Sequence, residues 1–274
     1  MSKRQRFVIS STIATILLVG STVSSFEWRY RMIALMAIIP GLLTIWSLNE
    51  AWKGVIRLTT VILPMMYGVG AGLFTFLLPD VVTDFWIFSW NPAVGIWVSW
   101  AIKGIFWLIF AISFYSLLLT ENIFSVSAIR TIALARAAGA VGFLLTLITG
   151  FLLYNATWSF RIPYYLNGLI VASITFALLL QGLWSAKMEE KITAHIWVAS
   201  AVLALVIGQI AIILSFWPVS VAVASLVTTT MLYVLLGLYQ QELLKRLFKR
   251  TVWEYVSVGL AVLVIVTLTT RWGG

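Results

Sequence analysis

Residues 94–119 read VGIWVSWAIKGIFWLIFAISFYSLLL, an apolar run in which Lys103 is the one charged side chain. A helix of about 20 apolar residues crosses the hydrocarbon core of a bilayer, which is about 30 Å thick. The run is continuous and lacks the alternation of apolar and polar residues that marks the strands of a membrane barrel. This stretch therefore predicts a transmembrane α-helix.

The rest of the chain has the same character. Its 274 residues are 62% hydrophobic and 10% charged, with a mean hydropathy of +1.04. Soluble domains carry about 25% charged residues, so a chain this apolar needs lipid as its solvent. Apolar stretches can be drawn at residues 7–25, 32–48, 58–78, 94–119, 137–154, 168–183, 195–217, 219–240 and 256–270. The sequence predicts an all-α, polytopic integral membrane helix bundle of about nine transmembrane helices, a single transmembrane domain over residues 1–274 with no soluble domain.

The distribution of basic residues predicts the orientation. If the N-terminus lies inside, most of the 18 Lys and Arg residues fall inside, whereas Arg29, Arg31, Arg161 and Arg271 fall outside. Cytoplasmic loops are enriched in basic residues, so we expect the N-terminus inside and the C-terminus outside. The net charge of +9 is spread over these loops, and no nucleic-acid partner is expected. Alternatively, the first stretch is a signal peptide ending at Val23-Ser24-Ser25, which would leave eight helices.

The sequence carries few residues of the kinds that catalysis or metal binding requires. It has no cysteine and a single histidine, His195, which excludes thiolate and multi-histidine metal sites. No P-loop, dinucleotide-binding or zinc-protease motif occurs. All nine acids are expected in loops or at helix ends: Glu27, Glu50, Asp80, Asp84, Glu121, Glu189, Glu190, Glu242 and Glu254. The sequence assigns no catalytic residue, no metal site and no cofactor, and it favours a protein without enzymatic activity.

Charged residues on the expected outer side are the candidates for substrate binding: Glu27, Asp80, Asp84 and Lys103. Lys103 is either a buried lysine that binds a substrate anion or a lysine that extends past Trp100 to the lipid headgroups. Membrane enzymes that use lipid-linked sugars place acids in the first outer loop, which is the position of Glu27. The alternative for these acids is a set of solvated ion pairs, which contribute little energy.

Glycines in two predicted helices are candidates for helix packing: Gly68, Gly70 and Gly72 in the third, and Gly139 and Gly142 in the fifth. Small residues let helix backbones approach closely in lipid. The third helix also contains a proline, which bends a helix. The pattern favours plain packing over the alternative, in which bent helices line a cavity.

One stretch resembles a known family. Residues 121–132 read ENIFSVSAIRTI, followed by RAA at residues 136–138 and VGFLLT at residues 141–146. Over about residues 121–150 the chain is similar to an uncharacterised family of bacterial multi-spanning membrane proteins. The resemblance implies a bacterial cytoplasmic membrane and carries no activity with it.

Three classes of function remain open. The scarcity of ionisable groups favours a structural or accessory subunit of a membrane assembly. The glycine-rich third helix and an aromatic outer loop at residues 85–90 suggest a transporter or lipid-handling protein. The outer acids suggest a lipid-linked-sugar enzyme. The expected partners are membrane lipid, and either another membrane protein or further copies of the chain.

Overall fold

The computed structural model describes residues 1–48, 56–82, 84–85, 88–89, 91–128, 133–189 and 192–270. Within these residues the chain forms nine α-helices: α1 (Lys3–Val23), α2 (Phe26–Ser47), α3 (Ile56–Phe74), α4 (Pro92–Ser127), α5 (Ala135–Ser159), α6 (Tyr164–Lys187), α7 (Ala194–Leu214), α8 (Val221–Leu243) and α9 (Lys249–Thr269). A 3-10 turn, Thr75–Leu77, extends α3. Two short strands, β1 (Asp84–Phe85) and β2 (Phe88–Ser89), pair antiparallel in the loop before α4.

The helices confirm the predicted fold class. In the described part of the chain, nine helices are long and apolar enough to cross a membrane. The protein is therefore an all-α integral membrane helix bundle. The largest difference in helix bounds is in α4, which continues to Ser127, two turns past the end of the apolar run at Leu119. The added turns contain polar residues that are buried against other helices. Because these residues are polar, the sequence shows no apolar pattern that would predict their burial.

Successive helices run in opposite directions. Across α2 and α3, for example, Gly41 lies against Met65 while Gly72 lies against Ile33, an order that only an antiparallel pair produces. The start of α1 and the ends of α2, α4, α6 and α8 therefore share one end of the bundle, which we call the N-terminal face. The ends of α1, α3, α5, α7 and α9 share the other end, the C-terminal face.

The central helix is α5, which packs against α3, α4, α6 and α8. The most extensive interface joins α6 and α7, where two glycines face each other. A Cβ atom at Gly208 would lie 2.8 Å from the Cβ of Ala172 and 2.9 Å from the carbonyl oxygen of Gly168. By contrast, α9 packs mainly on α8 and is the least buried of the described spanning helices.

The glycines of α3 lie against its neighbours. A Cβ atom at Gly68 would come within 2.7 Å of the carbonyl oxygen of Met36 in α2. One at Gly70 would lie 3.2 Å from Leu152 in α5. At Gly72 the nearest atom, 3.4 Å away, is in the side chain of Ile33. The first two glycines permit a closer approach of α3 to α2 and α5 than a larger residue allows.

The two candidates in α5 differ from each other. A Cβ atom at Gly142 would lie 2.9 Å from the ring of Phe124 in α4, so this glycine makes room for an aromatic side chain. A Cβ atom at Gly139 would meet no heavy atom within 4 Å in the described structure. The described structure therefore shows no neighbouring helix against Gly139, and its role in packing stays a prediction.

Candidate functional site

Two of the predicted substrate-binding residues meet in an ion pair at the C-terminal face. Lys103 of α4 is 5% exposed. Its Nζ lies 2.8 Å from Oδ1 of Asp80, whose side chain is 78% exposed. The lysine also lies 5.3 Å from the ring centroid of Trp100. Hydrogen bonding and the positive charge of Lys103 hold the pKa of Asp80 below its ordinary value.

This ion pair is part of a connection between α4 and the loop that follows α3. The hydroxyl of Ser99 donates to the carbonyl oxygen of Pro79 at 2.5 Å. The amide of Val82 donates to the carbonyl oxygen of Gly95 at 3.2 Å. Three successive turns of α4 thus hold the same short loop. Lys103 is engaged in holding this loop and in balancing the charge of Asp80.

The other two predicted residues are not joined to this pair. Glu27 lies exposed in the first turn of α2, and among the described residues it has no hydrogen bond or ion pair with Asp80 or Lys103. Asp84 lies in β1, where its backbone pairs with Ser89, and its side chain is outside the described part. Of the four predicted substrate-binding residues, the structure therefore brings two into contact, Lys103 and Asp80.

The sequence reasoning missed a buried carboxyl group. Glu121 was expected at a helix end, and that expectation is wrong, because α4 continues past it and places it at 0% exposure. Gln181 of α6, 1% exposed, donates from Nε2 to Oε1 of Glu121 at 2.8 Å. Oε2 of Glu121 and Oε1 of Gln181 are both buried and have no hydrogen-bond partner among the described residues.

The surroundings of Glu121 are tightly packed. The ring of Phe124, one turn further along α4, meets Trp184 of α6 edge-on at 6.5 Å. The indole of Trp184 donates to the carbonyl oxygen of Glu189 at 2.9 Å. From α8, Gln240 donates to the carbonyl oxygen of Gly182 at 2.8 Å. Helices α4, α6 and α8 are therefore linked by polar side chains near the N-terminal face.

A pocket of about 700 Å³ opens at the C-terminal face, between the α5–α6 and α7–α8 connections. Ligand sites have volumes of about 300–1,000 Å³. We call it the C-face pocket, lined by Trp158, Arg161, Ile162, Tyr164, Asn167, Leu214, Ser215, Phe216, Trp217, Val219, Ser220, Val221 and Ala224. Among the described residues of its lining, Arg161 is the one charged side chain, so this lining carries net positive charge.

The amide of Asn167 lies buried in the lining of this pocket. Its Nδ2 donates to the carbonyl oxygen of Ile162 and to the hydroxyl of Ser215, both at 3.4 Å. Since a carbonyl oxygen can only accept, these bonds fix which end of the amide carries the nitrogen. The side chain is buried, and its Oδ1 has no hydrogen-bond partner.

Arg161 stands at the edge of the same pocket in an uncommon backbone conformation. Its φ of 49° lies in the left-handed region, which an arginine adopts at a cost. The residue is exposed, and α6 starts shortly after it with no side-chain cap on its first amides. The uncapped start of a helix attracts anions, so the arginine and the helix add to the same positive potential.

Fold and sites together define an integral membrane helix bundle that has a buried carboxyl–amide pair at one end and an electropositive pocket at the other. The chain belongs to the family described as Protein of unknown function (DUF5656), which matches residues 9–269. The match covers nearly the whole chain, so membership of an uncharacterised family extends far beyond the stretch at residues 121–150. No curated protein and no solved structure matches the chain.

Proposed function

We propose that this protein is a lipid-handling membrane protein that binds an amphiphile with a phosphate headgroup in the C-face pocket. The observation that carries the proposal is the exposed cation Arg161 beside the uncapped start of α6, in a pocket where no other described lining residue is charged. For this reason we prefer lipid handling to the accessory-subunit role that the composition alone favours.

The polar lining defines the headgroup. Arginine binds phosphate through several N–H donors in one plane, and the uncapped start of α6 favours the same charge. The buried amide of Asn167 joins Ile162 and Ser215 beneath this positive edge. A phosphate headgroup without a compensating ammonium group therefore fits the pocket best.

Aromatic residues beside the pocket suit the approach of a lipid. Tyr164 lies 5.0 Å from Phe216 and 5.5 Å from Tyr165, measured between ring centroids. These three rings are exposed, and tyrosines are common where a membrane protein meets the headgroup region. A lipid whose acyl chains remain in the bilayer can therefore extend its headgroup into the pocket.

Native mass spectrometry in nanodiscs of phosphatidylcholine tests the proposal, with phosphatidylglycerol as the probe. The wild type is expected to retain phosphatidylglycerol in preference to phosphatidylcholine, and Arg161→Gln is expected to remove that preference. Arg31→Gln is the matched control, since Arg31 is an exposed arginine at the same face that stacks on Trp28 at 4.7 Å, outside the pocket. Equal binding by the two variants, or no preference in the wild type, would contradict the proposal.

An accessory subunit is the second candidate, and the position of α9 favours it. This helix packs mainly on α8 and leaves most of its surface to its surroundings. Such a helix suits a contact with another membrane protein or a further copy of the chain. The same mass spectra test this candidate, because a protein partner in fixed ratio would appear as a distinct mass.

A lipid-linked-sugar enzyme has less support. Asp80 would have to act beside the reacting groups, and its charge is already balanced by Lys103 at 2.8 Å. Glu27 alone is a weak basis for catalysis, since such chemistry needs positioned partners.

Membrane and orientation are part of the same proposal. We place the protein in a bacterial cytoplasmic membrane with the N-terminus inside, because the basic residues concentrate in the segments of the N-terminal face. The C-face pocket then opens to the outside and receives lipid from the outer leaflet.

A further inference from the structure

We propose that Glu121 and Gln181 form a proton-binding site, in which the Glu121 carboxyl carries a proton at neutral pH and donates it to the amide of Gln181. This inference is independent of the lipid-handling proposal, since the pair lies near the opposite end of the bundle. It starts from two buried acceptor oxygens that have no donor.

The two unsatisfied atoms belong to side chains that are already in contact. Nε2 of Gln181 donates to Oε1 of Glu121 at 2.8 Å, which leaves Oε2 of Glu121 and Oε1 of Gln181 as acceptors without a donor. Exchanging the nitrogen and oxygen of the Gln181 amide does not supply the missing donor, because the amide oxygen would then face a carboxylate oxygen. Buried polar groups are nearly always hydrogen-bonded, so a donor is missing here.

One proton supplies that donor. A protonated carboxyl group has one O–H donor and one carbonyl acceptor, and a primary amide has an N–H donor and a carbonyl acceptor. If the proton is on Oε2, the O–H of Glu121 donates to Oε1 of Gln181 while Nε2 of Gln181 donates to Oε1 of Glu121. The acid and the amide then close a cyclic pair with two hydrogen bonds. Both unsatisfied atoms are paired, and no net charge remains in a site with 0% exposure.

No described cation takes the place of this proton. Charged and titratable residues near this end, on the helices around the pair and in the loop after α6, are Lys3, Arg4 and Arg6 of α1, Arg136 of α5, Lys187 of α6 and Glu189 after it, His195 of α7, and Tyr239 and Glu242 of α8. None of them forms an ion pair or hydrogen bond with Glu121 in the described part of the chain. Lys187 pairs with Glu189 at 3.5 Å, and His195 bonds Tyr239 at 2.8 Å. An ionised Glu121 would therefore be an uncompensated buried charge, which is strongly unfavourable.

The first measurement is infrared spectroscopy of the protein in nanodiscs at neutral pH. A protonated carboxyl gives a C=O stretch that is separate from the bands of carboxylates and amides, and that shifts in D₂O. We expect this band in the wild type and its loss in Glu121→Gln. Glu254→Gln is the control, because Glu254 is exposed and bonds Arg250 at 3.1 Å, so its removal should leave the band unchanged.

Thermal unfolding distinguishes whether the site binds a proton or a metal cation. Glutamine at position 121 places an N–H donor where the acid has its O–H, so Glu121→Gln should keep the wild-type midpoint, and Gln181→Leu should lower it. The wild-type midpoint should be equal in sodium, potassium and choline chloride. A midpoint that rises with sodium or potassium in the wild type alone would show that a metal cation occupies the site. That result, a missing band in the wild type, or a Glu121→Gln variant that does not fold would overturn the proposal.

Discussion

Replacing Gly208 by alanine should weaken the interface between α6 and α7. The added Cβ would lie 2.8 Å from the Cβ of Ala172 and 2.9 Å from the carbonyl oxygen of Gly168. Neither atom can move by changing a rotamer, since one is the first carbon of an alanine and the other belongs to the backbone. To restore ordinary contact at about 3.4 Å, the two helices must separate by about 0.6 Å.

The cost follows from the extent of the interface. A gap of about 0.5–1 Å removes a quarter to a half of the dispersion energy of each affected contact, and this is the most extensive helix pair in the bundle. Overpacking a well-packed site costs typically about 1–3 kcal/mol. At about 2–4 °C per kcal/mol for a chain of this size, the unfolding midpoint of Gly208→Ala should fall by about 2–12 °C.

Thermal unfolding in nanodiscs, followed by tryptophan fluorescence, measures this shift. Gly104→Ala is the matched control, because a Cβ at Gly104 in α4 would meet nothing within 4 Å. The control makes the same chemical change in a helix without the steric conflict, so its midpoint should stay level or rise slightly. If both variants shift by the same amount, close packing of Gly208 against α6 is not what stabilises this interface.

Two further predictions concern the C-terminal face. Asp80→Asn leaves Lys103 buried without its partner and should lower stability by roughly 1 kcal/mol, a modest value because water screens the exposed carboxylate. Because the pKa of Asp80 is lowered in the folded protein, its contribution to stability is present above its ordinary pKa of 3.8 and is lost as the pH falls from that value through the lower folded-state pKa. Chemical unfolding between about pH 2 and 6 should show this loss in the wild type and not in Asp80→Asn. For orientation, the chain contains no cysteine, so single cysteines at Ser2 and Tyr165 can be labelled selectively: an impermeant reagent applied to intact cells should label Tyr165→Cys and spare Ser2→Cys, and the reverse pattern would invert the proposed topology.

The sequence predicted the existence and type of the helices, because a continuous apolar run of spanning length has few alternatives to a membrane helix. It could not predict which face of each helix meets its neighbours. In α4, Phe110 and Phe114 are buried while Leu108 and Ile112 are exposed, although all four are large and apolar. Lipid and protein interior accept the same side chains, so an apolar helix carries no pattern that marks its packed face.

Glu121 was missed for the same reason. It lies on the buried side of α4 that contains Phe114 and Leu117, but this side is not distinguishable in an apolar sequence. The polar residues after Leu119 indicated the end of a membrane span, whereas the helix continues because other helices cover it. The ion pair of Lys103 with Asp80 could have been predicted from the sequence, because both residues are expected on the same side of the membrane.

The sequence did not predict the C-face pocket, and it assigned Arg161 only to the expected outer side. Its lining comes from two connections that are distant in the chain, before Tyr164 and after Leu214. Only the packing of α6 against α7 and of α5 against α8 brings these segments together. Asn167 carries no motif, and its unsatisfied oxygen is visible only when its neighbours are known.

Two buried ionisable residues of α4 are separated by nearly the thickness of the hydrocarbon core of a membrane. At a rise of 1.5 Å per residue, Lys103 and Glu121 lie about 27 Å apart along the helix axis, close to the hydrocarbon thickness of about 30 Å. The stretch of α4 between Lys103 and Glu121 is therefore nearly long enough to cross a bilayer, with one ionisable residue at each end. A sliding movement of α4 along the membrane normal would carry one of these residues toward the centre of the bilayer. Such a movement would be unfavourable for Lys103, whose charge is paired with Asp80 in the loop that α4 holds.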